Sequence, residues 1–176
     1  KASSEVLPEH KELIDTISIK FRENMAVRRA VYVEAGVDCV VSTYVHHDHK
    51  IGSLVVVKGS SDQKVKDFAH VCCLHLASCK PEYITKSEVP QSYIDEQTEI
   101  FRAQMNEDPA MAKKPDNVKA GILQGKVNKL VSSICFMDQG YIDDEKKTVS
   151  TVLAETGKSV GANLTFDKVS LFVLGK

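Results

Sequence analysis

Residues 38–58, DCVVSTYVHHDHKIGSLVVVK, hold two runs of β-branched side chains on either side of a short polar break. Such side chains are stiff at χ1 and fit an extended, half-buried backbone better than a helix. The stretch therefore predicts two strands folded into an antiparallel hairpin. Side chains alternate across a strand, so Cys39, Val41, Thr43 and Val45 share one side of the first run and Val40, Ser42, Tyr44 and His46 the other. Valine on both sides predicts that neither face is fully solvated. In the second run Ile51, Ser53, Val55 and Val57 oppose Leu54 and Val56, and Gly52 permits close backbone approach beside the turn. The tip, His47, Asp48, His49 and Lys50, is polar and is expected to face water or a partner. A two-stranded ribbon is marginal in water, so the hairpin needs a third strand and a covering helix.

Both are legible further along. Gly59 closes the second strand, and Ser60 with Gln63 reads as a capping box opening a helix over 61–79 that stops at Lys80-Pro81. Val65, Phe68, Ala69, Val71, Leu74 and Leu76 make that helix apolar nearly all round, so it is expected to lie buried across the hairpin. The third strand is predicted over 160–174, marked by Phe166, Val169, Leu171 and Val173. Just before it, Thr148 caps a short helix with Val149, Val152 and Leu153, ended by Gly157.

Upstream, Leu13, Ile14, Ile17 and Phe21 recur at helical spacing behind Pro8 and predict a helix over 8–22. Met25, Val27, Arg29, Val31 and Val33 then alternate with their neighbours and predict a strand over 24–34. Between 90 and 134 the pattern is helical on both sides of NEDPAMAKKPDN: Ile94, Phe101 and Met105 mark one helix, Val118, Ile122, Leu130 and Ile134 a second. That is an antiparallel helical hairpin. Gly121 and Gly125 weaken its second helix by about 1 kcal/mol each unless they allow close packing. The fold class is therefore α+β, an antiparallel sheet packed with helices and carrying an inserted helical hairpin. The expected division is 1–35, a helix-plus-strand remainder of an N-terminal core subdomain; 36–89 with 135–176, a C-terminal core subdomain; and 90–134, a coiled-coil insertion.

Charge and cysteine usage narrow the function classes. Twenty-three basic residues against 24 acidic ones give a net charge of −1, so no overall electrostatic footprint points to nucleic acid or to a membrane surface. No apolar run approaches the roughly 20 residues that cross a bilayer. Five cysteines, two of them the adjacent Cys72 and Cys73, do not form the even framework of a secreted scaffold and read as reduced thiols. The first residue is Lys rather than Met, as expected of a processed chain or a fragment.

Two clusters could carry chemistry. His46, His47, Asp48 and His49 are metal-ligand types, yet adjacent strand residues point to opposite faces, so converging on one ion needs a bent tip. Their protonation near pH 6.5 could also tune contacts made there. Cys72, His75 and Cys79 fall on one helical face and could form a metal or redox site, against the plainer reading of a packed helix with one satisfied histidine. Dinucleotide, Walker A, HExxH and GxSxG motifs are absent from the sequence, which favours a protein-binding function without a chemical active site, cofactor or metal.

Several segments in order resemble the elongation factor Ts family, guanine-nucleotide exchange factors of the GTPase elongation factor Tu. FRENMAVRR from Phe21 is similar to the family's G-E-N-I-x-x-R-R, and YVHHDHKIGSLVVV from Tyr44 with HLASCKPEYI from His75 to its sheet hairpin and following helix end. Gln124-Gly125-Lys126 through Lys129 resembles E-G-R-x-x-K, Asp138-Gln139 the start of D-Q-P-F, and LFVLGK from Leu171 the tail R-F-E-V-G-E. The resemblance implies a three-stranded antiparallel sheet, a protruding helical hairpin, and docking on elongation factor Tu through the sheet hairpin. Its histidine corresponds to His46, beside Tyr44; His47, His49 and Lys50 complete the expected contact. His47 and His49 stand where the family often has glycine or small residues. It further implies a bacterial cytoplasmic protein, or an organellar-matrix one in a eukaryote, with no direct nucleic-acid or membrane partner. The family's Thr-Asp-Phe-Val and T-G-A-G-M-M-D-C-K-K-A-L motifs do not occur in these 176 residues, and Asp67-Phe68 sits mid-helix with Phe68 expected in the core. The resemblance thus implies docking with weak acceleration of nucleotide release, and an unpartnered edge at 24–34.

Overall fold

The computed structural model describes residues 2–3, 7–112 and 114–175; Lys113 of the predicted helical-hairpin turn and Lys176 of the family-like tail lie outside them. The two valine-rich runs form β3 (Cys39–Val45) and β4 (Ile51–Lys58), following β1 (Ala2–Ser3), α1 (Pro8–Phe21) and β2 (Tyr32–Val33) in chain order. The expected covering helix is α2 (Gln63–Cys79). The helical hairpin comprises α3 (Gln91–Glu107), a single turn α4 (Pro109–Ala112) and α5 (Asp116–Ile134). A small ribbon of β5 (Gly140–Tyr141) and β6 (Asp144–Thr148), absent from the sequence reading, precedes α6 (Val149–Val160) and β7 (Thr165–Val173).

The third strand joins where it was expected. β7 pairs antiparallel with β4, giving the order β3-β4-β7, with Val45, Gly52 and Phe172 aligned in one row across the sheet. One face, Val40, Val55 and Val57, packs on Val65, Phe68, Ala69, Cys72, Cys73 and Leu76 of α2, and Phe136, Tyr141, Val149, Leu153 and Leu164 close this core from the C-terminal part of the chain. At about 1.5–3 kcal/mol for each large apolar side chain buried, this cluster is the main stabilising element of the molecule. Ser53 enters it by donating to the carbonyl oxygen of Cys73 at 2.9 Å. The opposite face is unequal. Val56 is 1% exposed, whereas Val41 and Val45 are 43% and 60% exposed, so neither face is fully solvated, as expected, but this one is covered over only part of its length.

A second core seals the base of the helical hairpin, where Val89, Val127, Val131 and Cys135 pack with Tyr83, Tyr93, Ile94, Phe101, Leu123 and Ile134. Val118, an expected stripe residue, faces outward, and Val127 and Val131 are buried instead. Of the expected stripe Ile134 packs in this core, while the buried face of the 19-residue helix runs about one position beyond Val118, Ile122 and Leu130, because apolar residues occur on several of its faces.

Four boundaries differ from expectation for identifiable reasons. Helix α2 is capped by Asp62, whose carboxylate accepts from Lys64 N–H at 2.9 Å, while Ser60 Oγ accepts from Asp62 N–H and Gln63 turns forward to donate to Asp67. Either residue can cap, and the nearer carboxylate takes the place. Helix α6 is capped by Thr148 as expected, but it runs through Gly157 to a left-handed Gly161. Gly157 serves close packing: a Cβ there would lie 2.7 Å from the carbonyl oxygen of Ala162. Consequently β7 starts at Thr165 rather than near residue 160. Of the predicted 24–34 strand only Tyr32 and Val33 join a ladder, with Ala2 and Ser3. Residues 24–31 are irregular, and side chains hold them: Arg28 Nη1 donates to the carbonyl oxygen of Gly175 at 3.1 Å, and the Arg29 guanidinium lies 5.2 Å from the centre of the Phe172 ring. Alternating polarity marks any extended segment with one side on protein, whereas a strand also needs a partner with free backbone groups.

Candidate functional site: the β3–β4 tip

The hairpin turn is built from its own backbone. His46 N–H donates to Ile51 O at 2.8 Å and His49 N–H to His46 O at 2.9 Å. Asp48 Oδ1 accepts from Lys50 N–H at 2.9 Å, and that bond is the chief reason its carboxyl is held below the usual carboxylate range. His49 adopts φ 57°, a left-handed conformation that glycine takes without steric cost. A side chain is thus placed where a turn of this shape would more readily accept none.

Among the predicted site residues, three converge. Tyr44 and His46 share a strand face, and Tyr44 Oη lies 2.9 Å from His46 Nδ1, a hydrogen bond that fixes the imidazole's orientation. His47 packs tilted against it, ring centres 4.3 Å apart. His46 is half-buried; His47, Asp48, His49 and Lys50 are exposed. His49 and Lys50 turn away from the Tyr44–His46 pair and line a neighbouring cleft against residues 24–29 and the end of β7. The tip therefore presents two adjacent surfaces: an oriented aromatic and imidazole group on one side, His49 and Lys50 on the other.

On the face carrying Cys72, His75 and Cys79, the first two are buried in the core and Cys79 is exposed at the helix end. His75 is fully buried; its Nε2 lies 2.9 Å from Gln139 Oε1, and Gln139 Nε2 donates to Ser133 O at 2.7 Å. That second bond orients the amide so that His75 Nε2–H is the donor and Nδ1 the acceptor, facing Cys79 Sγ at 3.9 Å. Phe136 meets the ring edge-on and Tyr141 stacks on it. Burial pushes the Cys72 thiol up, away from the thiolate that binds metals and attacks disulfides. All five cysteines are free, and among the described residues no group of three His, Cys, Asp or Glu side chains converges to hold a metal ion. Gln139, the residue that satisfies His75, was visible only as half of a family-like pair; its partner Asp138 forms an ion pair with Lys86 at 2.9 Å. Phe68 is a core residue stacked near Tyr141, as expected.

Fold and tip together define an α+β protein that displays a hydrogen-bonded tyrosine–histidine pair beside an exposed strand turn. The chain belongs to the elongation factor Ts family, whose model, described as Elongation factor TS, matches residues 3–175. It is 41% identical to elongation factor Ts of Treponema denticola, covering 99% of this chain and 63% of that protein. It is 35% identical to that of Treponema pallidum over 99% of the chain and 61% of the relative. With elongation factor Ts of Geotalea daltonii it shares 31% identity, over 100% of this chain and 81% of that protein. The chain thus spans less than two thirds of the length of its Treponema relatives.

Proposed function

We propose that this chain is the docking part of a guanine-nucleotide exchange factor for elongation factor Tu, working by binding and not by covalent chemistry. Family membership supports the partner, and the hydrogen-bonded Tyr44–His46 pair at an exposed tip supports the place of contact. Tyr44, His46, His47, His49 and Lys50 form the contact, in the bacterial cytoplasm or an organellar matrix. Residues 36–89 and 135–176 act as the docking subdomain, 1–35 as part of a second one, and 90–134 as a projecting coiled coil.

An exchange factor binds the nucleotide-free GTPase more tightly than the nucleotide-bound form, and the coupling is reciprocal. Moving such an equilibrium from 1:99 to 99:1 takes about 5.5 kcal/mol of differential binding. A tip that binds both states equally adds affinity without exchange. The 176 residues lack the family's Thr-Asp-Phe-Val motif. This chain is therefore expected to bind elongation factor Tu while releasing labelled GDP far more slowly than a family member carrying that motif.

Calorimetric titration into nucleotide-free elongation factor Tu tests the reading. His46→Ala should weaken binding by about 1 kcal/mol or more, as for a residue central to an interface. No binding by the folded wild-type chain would remove the proposal.

A further inference from the structure

A cleft of about 800 Å³ lies beside the Tyr44–His46 face and shares with it only the far side of the turn. Its floor is the sheet row Val45, Gly52 and Phe172. The middle position has no side chain, so the row is hollow between a valine and a phenylalanine. A Cβ at Gly52 would meet nothing closer than Tyr44 O at 3.9 Å, so the hollow is open space above the strand. Arg28, Arg29, His49 and Lys50 line the walls, and among the described residues no Asp or Glu does. In a chain of net charge −1 this is a local segregation of charge. Arg28 is positioned by its bond to Gly175 O and Arg29 by the Phe172 ring, while the nearby Asp48 carboxylate is turned to the Lys50 backbone N–H.

We propose that this cleft docks an extended acidic and apolar segment of a protein partner, with an apolar side chain in the hollow over Gly52 and carboxylates against Arg28 and Lys50. Charge complementarity selects the chemistry. Arg28 and Lys50 on a lining without carboxylates favour an anionic ligand, and an apolar floor is wasted on a phosphate backbone but suits alternating Leu and Glu side chains. His49 and Lys50, at the turn the two surfaces share, line the cleft, whereas Tyr44 and His46 do not.

Fluorescence anisotropy of the folded 176-residue chain with a short labelled peptide of alternating Glu and Leu tests this, against a Lys and Leu counterpart and a DNA duplex. The acidic peptide should bind, more weakly at high salt. Gly52→Val, which fills the hollow at a position without positive φ, and separately the exposed Arg28→Glu, should each weaken it by about tenfold. His46→Ala should leave peptide binding unchanged, which separates this site from the docking of elongation factor Tu. Equal binding of the Lys peptide, tighter binding of the duplex, or indifference to both Gly52→Val and Arg28→Glu overturns the proposal.

Discussion

A single histidine shows how burial and hydrogen bonding set behaviour. Removing His75 from water disfavours its charged form, holding its pKa below the ordinary 6.5, with the Gln139 bond opposing only in part. The unfolded chain therefore takes up a proton near pH 6.5 that the folded chain resists. Its contribution to stability is complete above that pH and is lost as pH falls through the lowered folded value. Urea melts between roughly pH 7 and pH 5 should show unfolding free energy falling with pH, and His75→Gln should flatten that slope. Equal slopes in the two proteins would mean that other groups dominate. Gln139→Ala should cost about 1–3 kcal/mol at neutral pH, because it leaves a buried imidazole N–H without an acceptor. At the tip, by contrast, His46 is kept in place by one phenol; Tyr44→Phe should weaken binding to elongation factor Tu by less than His46→Ala does, since the ring stays while its orientation is freed.

Glycine means different things in different elements. In α5, an added Cβ at Gly121 or Gly125 would meet no atom within 4 Å. Neither residue allows close packing, so each is only a propensity loss, and Gly121→Ala and Gly125→Ala should each stabilise the chain by about 1 kcal/mol in denaturant melts. In α6, Gly157→Ala drives a methyl group against the Ala162 carbonyl and should destabilise by about 1–3 kcal/mol. If Gly157→Ala is neutral, the turn into β7 is looser than its geometry shows. Gly59 joins two elements at φ 121° with the Asn163 backbone 2.4 Å from where a Cβ would stand, which ties the end of β4 to the start of β7.

At the scale of the whole molecule, apolar burial is uneven. The sheet, α2 and α6 share one continuous core, whereas α1 contains no buried residue and shows Leu13, Ile19 and Phe21 to solvent, Ile19 at 80%. Native-state hydrogen exchange should find α1 amides opening at a small fraction of the global unfolding free energy, while β4 amides exchange only through global unfolding. Comparable protection in α1 and β4 would contradict this. The same unevenness divides what sequence reading reached from what it missed. The strand pair, the buried helix over it, the helical hairpin and the returning strand were legible because each depends on local periodicity: two in a strand, 3.6 in a helix, broken by Gly, Pro and a polar tip. The tip residues were legible because a polar turn between valine-rich strands has few alternatives. Local pattern could not tell whether residues 24–31 would find a ladder, since Val27 and Arg29 alternate equally well beside a side-chain contact. Nor could it choose Asp62 over Ser60 as a cap, or find the β5–β6 ribbon, only two and five residues long. The sequence by itself determined the kind and order of the longer elements, because these follow from interactions among near neighbours. Tertiary structure alone decided which face of the sheet is covered, that Gln139 satisfies His75 from 64 positions away, and that Arg28, Lys50 and Gly52 line one cleft. Those depend on contacts between distant parts of the chain, which no local pattern encodes.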